Sequence, residues 1–440
     1  MIKHVIKISL VCIIALLSAC AQLPTHFEAP PSYVIEDTEN TRLGKKAKQA
    51  QKNTQNKNSK MRLVSDGVDA YVVRAALLHA AEKTIDVQYY IWHSDLIGKL
   101  LFNGMLSAAD RGVRVRVLLD DMPINSETES LLYAIDQHKN IEVRLFNPFA
   151  SRGFRTTSYL VSPRRINRRM HNKSFTVDNQ FAIIGGRNIG NEYFSADKNS
   201  NFKDIDVVAI GPVVKEIGAQ FDLYWNSKVV YPVTAFDHNK ATQSDLQLQR
   251  KKLNEFVKIK ENSKYHLDIK DSDMYQSIVK GMLPENKQSL VFDGEVHVVY
   301  DSPLKALGKS AEEVAYLKSQ LEPYVKKINK SFEIISPYFV PGEAGVAYLT
   351  DMVKKGVKVT VLTNSLSSTD GLMAQSGYSR RRYDLLEGGV KLYELKTKTH
   401  HKVSKSLRRG EKAKSALHAK TYIFDRKQVF IGSFNFDQRS

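Results

Sequence analysis

Apolar positions along this chain change period several times, and each change marks an element. Thr84 to Trp92 (TIDVQYYIW) is dense in β-branched and aromatic residues, which predicts a strand. Leu96 to Arg111 is amphipathic at helical spacing, and Val113 to Leu119 (VRVRVLL) alternates as a strand does. Strand, helix and strand in that order predict a parallel βαβ unit. Ile141 to Phe146 adds a further strand and leads into a basic loop. The order then returns: a strand over Ser331 to Val340, a helix over Ala344 to Lys355, and strands over Val357 to Leu362 and Val390 to Leu395. Residues 235–288 lie between the runs, rich in Lys, Asp, Gln and Asn, and suit connecting helices and loops. The expectation is an α/β chain of two similar halves, 63–234 and 289–440, packed about a pseudo-two-fold axis with one active site between them.

Each half carries the same polar signature. His171, Lys173 and Asp178 recur as His418, Lys420 and Asp425 with identical spacing, and seven positions after each Asp comes a glycine, Gly185 or Gly432. A second small residue follows, Gly186 or Ser433, and then Asn188 or Asn435. One such pattern in a Lys-rich chain is weak evidence, whereas two with matching tails are not coincidence. In a strand, residues i and i+2 share a face, so each His and Lys project together. A polar Asp turn and a second apolar run predict a hairpin, whose small far-end residues would admit a phosphate close to the backbone. Two such hairpins facing each other gather two imidazoles, two ammonium groups and two amides, a pocket suited to a phosphodiester. One His can attack as a nucleophile while the other carries a proton to and from the reacting oxygens. The lysines and amides balance charge on the phosphoryl oxygens. Asp178 and Asp425, included among the catalytic candidates, open turns and are equally suited to bonding backbone there.

Composition adds a compartment. The 440 residues are 42% hydrophobic and 25% charged, as in globular chains, with a net charge of +18. Lys3 and Lys7 precede an apolar run, Ile8 to Leu16, and Leu17-Ser18-Ala19-Cys20 follows. The segment resembles a bacterial lipoprotein signal, which implies removal of residues 1–19, a diacylated Cys20, and a protein anchored at a bacterial membrane on its periplasmic or outer side. The alternative is an uncleaved N-terminal anchor. Both cysteines, Cys12 and Cys20, fall here, so the body can hold neither a disulfide nor a thiolate metal site. Thr41 to Arg62 contains eight basic residues and no acidic one, so residues 20–62 read as a lipidated polybasic linker, either lying on anionic headgroups or serving as a solvated spacer.

The paired motifs resemble those of the phospholipase D superfamily. The resemblance implies a phosphohistidine mechanism that uses no cofactor and no metal. It also implies an acidic residue that orients the first His, here Asp204 ahead of Gly211-Pro212, with Asp206 as the alternative. Closer similarity, carried by Ile85–Trp92, Arg168–Asp178, Gly185–Gly190, Val361–Ser365 and Phe430–Phe436, is to bacterial cardiolipin synthases, the C type above all. That implies transfer of a phosphatidyl group between anionic phospholipids, with His171 as nucleophile and His418 as general acid and base. A hydrolase, in which water resolves the intermediate, differs little in sequence. A nuclease is disfavoured by the anchor and by the lack of aromatic residues interleaved with the basic segments, and a catalytically inert lipoprotein by the intact motifs. Arg164, Arg165, Arg168 and Arg169 crowd the approach to His171 and either hold anionic headgroups or a nucleic-acid backbone, or form a solvated basic loop. The family pattern continues past Ser440 with Leu-Asn-Thr-Glu, from which the acidic partner of the second His is expected, so a chain ending at Ser440 is expected to lack it.

Overall fold

The computed structural model describes residues 23–55, 57–153, 155, 162–236, 240–280, 291–308, 316–397 and 414–436. The expected signal peptide and Cys20 lie outside these residues.

Ten strands come from the first part of the chain: β1 (Ser59–Val64), β2 (Thr84–Tyr89), β3 (Arg114–Asp120), β4 (Ile141–Phe146), β5 (Ser174–Val177), β6 (Phe181–Gly185), β7 (Ser200–Lys203), β8 (Asp206–Ile210), β9 (Val230–Pro232) and β10 (Val291–Gly294). Six follow: β11 (Ser331–Ile335), β12 (Lys358–Asn364), β13 (Lys391–Leu395), β14 (Lys414–Leu417), β15 (Lys420–Phe424) and β16 (Gln428–Gly432). The first sheet runs β10-β1-β8-β6-β5-β2-β3-β4-β9 and the second β13-β12-β11-β15-β16. The run β4-β3-β2-β5-β6 of the first sheet is therefore repeated, strand for strand, by the whole of the second. Strand directions repeat as well: β2–β3–β4 and β11–β12–β13 are parallel, and β2–β5–β6 and β11–β15–β16 antiparallel.

The central strands are buried on both faces, as parallel strands generally are. Val115, Val117 and Leu119 pack with the helices Gly67–Ala80, Leu96–Asp110 and Ser126–Ile135, while Leu118 meets Phe221, Tyr224 and Trp225 of the helix Pro212–Trp225. The polar half of the VRVRVLL alternation therefore does not simply face water: Arg114 is half-buried and Arg116 fully buried. Arg116 is 1% exposed, bonds the facing Asp86 at 2.7 and 2.9 Å, and reaches Asp222 at 2.9 Å. Removing one partner would strand a buried charge, at a cost of roughly 3–5 kcal/mol.

Two boundaries differ from the sequence expectation. Thr41 to Arg62 is folded, not a flexible linker: Thr41 caps a helix, Arg42–Ala50, that buries Leu43, Gly44 and Ala47, and β1 pairs with β8 and β10 inside the sheet. The charges there occupy the solvent face and mask a buried stripe at helical spacing. Upstream, the carbonyls of Pro30 and Ser32 accept from Arg144 and Arg116, which hold that segment on the body. The second boundary is at residue 288, because β10, just beyond it, completes the first sheet. The connecting segment contains the expected helices, Gln243–Lys260, Lys264–Lys270 and Asp273–Val279.

A third, two-stranded sheet joins the halves: β7 and β14 run parallel, with Leu417 opposite Lys203. No helix among the described residues is long and apolar enough to cross a membrane.

Candidate active site

Each motif is a hairpin, β5–β6 or β15–β16. Asp178 and Asn179 (φ 51° and 49°) open one turn, and Asp425 and Arg426 (φ 53° and 55°) the other. The Asp178 carboxylate accepts the backbone N–H groups of Lys83 at 2.7 Å, Thr84 at 3.0 Å and Glu82 at 3.2 Å. Asp425 does the same for Lys330, Ser331 and Asn329 at 2.7, 2.9 and 3.1 Å. Both lie at the end of the motif strand away from the histidines, so the catalytic expectation for them is corrected: they latch the hairpin to the start of β2 or β11. Asp178 is fully buried, whereas Asp425 is half-buried and can be replaced by water. Asp178→Ala, which orphans buried donors, should therefore lower unfolding stability by about 2–4 kcal/mol, and Asp425→Ala by clearly less. Urea unfolding of the two variants checks this, and a larger loss in Asp425→Ala would contradict it.

The other motif residues converge. Lys173 Nζ donates to the carbonyl of its own motif histidine, His171, at 2.8 Å, and Lys420 Nζ to that of His418 at 2.5 Å. Lys420 Nζ is also 3.0 Å from each ring nitrogen of His418. His171 lies against Tyr90, with ring centres 5.0 Å apart, and His418 between Tyr193 and Phe202 at 5.1 and 5.2 Å. Each imidazole is oriented through Nδ1 by the opposite half. His171 Nδ1 is 2.9 Å from the carbonyl of Ser433, and His418 Nδ1 is 2.5 Å from Asp204 Oδ2. Because a carbonyl only accepts, His171 Nδ1 must carry the proton, which leaves a lone pair on Nε2.

Asp204 thus serves His418 and not His171, which corrects two expectations at once: the partner of the second His lies within the chain, and the first His is held by a backbone carbonyl. The reason is the β7–β14 pairing. His418 N and Ala419 N both bond Lys203 O, at 2.8 and 3.0 Å, so the residue after β7 falls beside the residue after β14. Asp206, the alternative, is committed to Arg74 at 2.8 Å. The glycine pair admits carboxylates rather than a phosphate, since a Cβ on Gly186 would lie 2.1 Å from Asp204 Oδ1, and one on Gly185 2.3 Å from Asp206 Oδ1. Asn188 is partly spent on the wall, accepting from Ile91 N at 3.2 Å and donating to Tyr193 Oη at 2.9 Å. Asn435 Oδ1 is buried without a partner among the described residues.

Half of the arginine cluster is structural. Arg169 bonds both oxygens of Asp120, and Arg165 bonds Asn147 Oδ1 at 2.6 Å. Arg164 is exposed and Arg168 partly so. Sequence reading missed Tyr90, Tyr193, Phe202 and Arg187; the last bonds the carbonyls of Val64, Ser65, Tyr193 and Asp204. Its only signal was its place inside the Gly-Gly-Arg-Asn tail.

Burial, then the ammonium groups of Lys173 and Lys420, holds His171 well below the usual imidazole range, so it is neutral. Burial lowers His418 to about 4, with Lys420 adding and Asp204 opposing. Burial alone would raise Asp204, but His418, Lys420 and Arg187 outweigh it and hold the carboxyl at about 2. Lys420 is lowered to about 8, chiefly by burial, and Lys173 well below its usual value by burial and Lys420. A phosphodiester anion among these groups would reverse the shifts, raising the lysines and His418 so that protons are taken up on binding. Affinity for dimethyl phosphate should therefore fall as pH rises through about 8, the value for Lys420. Calorimetry near that pH, in buffers of different ionisation enthalpy, should register proton uptake, and binding without it would contradict the account.

Comparisons with known proteins agree with this geometry. The family model described as cardiolipin synthase, PLD-like domain, matches residues 75–225 and 323–440. Cardiolipin synthase C of Escherichia coli (strain K12) is 44% identical over 377 residues, which cover 85% of this chain and 77% of that protein. Cardiolipin synthase A of Pseudomonas syringae pv. syringae (strain B728a) is 27% identical over 389 residues, 87% of this chain and 63% of that protein. Among solved structures, phosphatidylserine synthase of Haemophilus influenzae Rd KW20 superposes with a TM-score of 0.55 at 14% identity, covering 92% of this chain and 84% of that one, and so shares the fold.

Proposed function

The chain belongs to the phospholipase D superfamily, within its cardiolipin synthase-like branch, and from that premise we propose that it moves a phosphatidyl group between phospholipids through a phosphohistidine at His171. The observation that carries this reading is the crossed orientation of the two imidazoles. His171, neutral and with Nδ1–H engaged by Ser433 O, offers Nε2 to phosphorus. As the N–P bond forms and the P–O bond to the leaving alcohol breaks, His418 gives that oxygen a proton. Asp204 stabilises the imidazolium that His418 must form to do so. In the second step the acceptor alcohol loses its proton to His418 and attacks phosphorus, and the N–P bond breaks. Lys173 and Lys420 balance charge on the phosphoryl oxygens throughout.

Incubation with phosphatidylglycerol, with and without phosphatidylethanolamine, followed by lipid mass spectrometry, tests the reaction. Cardiolipin should accumulate in step with loss of the donor lipid. Phosphatidic acid as sole product would make the enzyme a hydrolase, and no lipid turnover alongside cleavage of single-stranded DNA would replace the reading with a nuclease.

Acylation of Cys20 would then hold the body at the membrane, with the site on the periplasmic or outer side; the lipoprotein-like run Leu17–Cys20 supports this. Cys20→Ser should shift the protein out of the membrane fraction while activity on detergent-dispersed lipid persists. Unchanged acylation and fractionation would refute the anchor.

A further inference from the structure

Behind the first motif strand lies a cleft of about 160 Å³ that the chemistry above leaves unused. Its walls are apolar, formed by Met61, Ile184, Val207, Ile217, Val296 and Val298. It is bordered by His297, whose side chain is 55% exposed, and by Lys173, Gly432 and Ser433 of the two motifs. Two of the lining residues carry a polar atom without a partner. Ser174 Oγ and Gln220 Nε2 are buried and have no hydrogen-bond partner among the described residues, in side chains only 3% and 4% exposed. Buried donors left unpaired are costly, and native proteins satisfy them with a protein partner, an ordered water or a ligand.

We propose that this cleft receives one fatty acyl ester of the phospholipid substrate, with ester oxygens accepting from Ser174 Oγ and Gln220 Nε2 and the chain lying along the aliphatic wall. The inference rests on the phosphatidyl-transfer reading and adds to it the part of the lipid beyond the phosphate. An ester supplies acceptors at the head of an otherwise apolar chain, which is the pattern of the lining. In a phosphatidyl group the ester carbonyls lie within a few bonds of phosphorus, just as Ser174 lies three residues from His171. The volume is below the roughly 300–1,000 Å³ of sites that enclose a whole drug-sized ligand, so the cleft takes one chain and leaves the rest of the lipid in the bilayer.

The test compares dioleoyl phosphatidylglycerol, dihexanoyl phosphatidylglycerol and the acyl-free diester bis(p-nitrophenyl) phosphate in wild type, Val298→Phe and Gln220→Leu. Val298→Phe, which narrows the cleft, should lower kcat/KM on the dioleoyl lipid about tenfold or more, and less on the dihexanoyl lipid. Gln220→Leu, which removes the donor but keeps the volume, should lower both lipids about three- to tenfold. Both variants should cleave the diester at the wild-type rate, which also controls for folding. Equal losses on all three substrates, unchanged rates on the lipids, or a wild type indifferent to chain length would overturn the acyl site while leaving transfer intact. A wild type that cleaves the diester but no phospholipid would overturn the function and the acyl site together.

Discussion

His171→Ala should abolish phospholipid turnover and the covalent adduct together, a loss on the order of 10⁴-fold or more. His418→Ala should lose about 10²–10⁴-fold on phospholipid but still form the adduct from bis(p-nitrophenyl) phosphate. The contrast follows from the two roles. A lipid alcohol is a poor leaving group and needs the proton from His418, whereas p-nitrophenolate departs without one. His171, held through Nδ1 by Ser433 O, supplies the atom that bonds phosphorus. Quench-flow measurement of the p-nitrophenolate burst reads both outcomes. A full burst in His171→Ala, or none in His418→Ala, would reverse the assignment.

Asp204→Asn should cost about 10³–10⁴-fold on phospholipid, by analogy with loss of the carboxylate in other carboxylate–histidine pairs. Asn can still accept from His418 Nδ1, but it brings no negative charge to a buried imidazolium beside Lys420. Asp204 is a positioning residue, so rate alone does not identify its role. The p-nitrophenolate burst should persist, as in His418→Ala, and the alkaline limb of the phospholipid pH profile should move to lower pH, because the substrate-bound His418 loses the charge that keeps it protonated. A fall in burst and turnover together, with an unmoved profile, would mark a purely structural residue. Asp204 also contributes to stability with a definite sign. Its carboxyl is held at about 2, below its ordinary value, so that contribution is present above the ordinary carboxyl range and is lost as pH falls through about 2.

How much of this was legible in the sequence depends on whether the determining contact is local. The His and Lys of each motif lie two apart on one strand, and the strand period alone places them together. The repeated strand–helix–strand order gave the two halves because β2, β3, β11 and β12 carry β-branched and apolar residues at the strand period, set apart by runs at helical spacing. Asp204 was visible as a candidate but was assigned to the wrong histidine. Its partner is chosen by β7 and β14, two four-residue strands far apart in sequence that carry no pattern of their own. The segment Thr41–Arg62 misled for the opposite reason: its charges are conspicuous, while the buried stripe is only Leu43, Gly44 and Ala47. Ser433 was legible only as a small residue, since the group that holds His171 is its carbonyl, and any residue type presents one. The lining of the acyl cleft carries no motif, because its polar atoms are significant only through the lack of a partner.

The most direct test of the central claim is the site of the covalent adduct. The wild-type enzyme is quenched in alkali during turnover of phosphatidylglycerol, conditions under which phosphohistidine survives, and its peptides are mapped by mass spectrometry. The phosphatidyl mass should appear on His171 and nowhere else, and should vanish when the lipid acceptor is left to react to completion. An adduct on His418, or none at any time during measurable turnover, would contradict the mechanism.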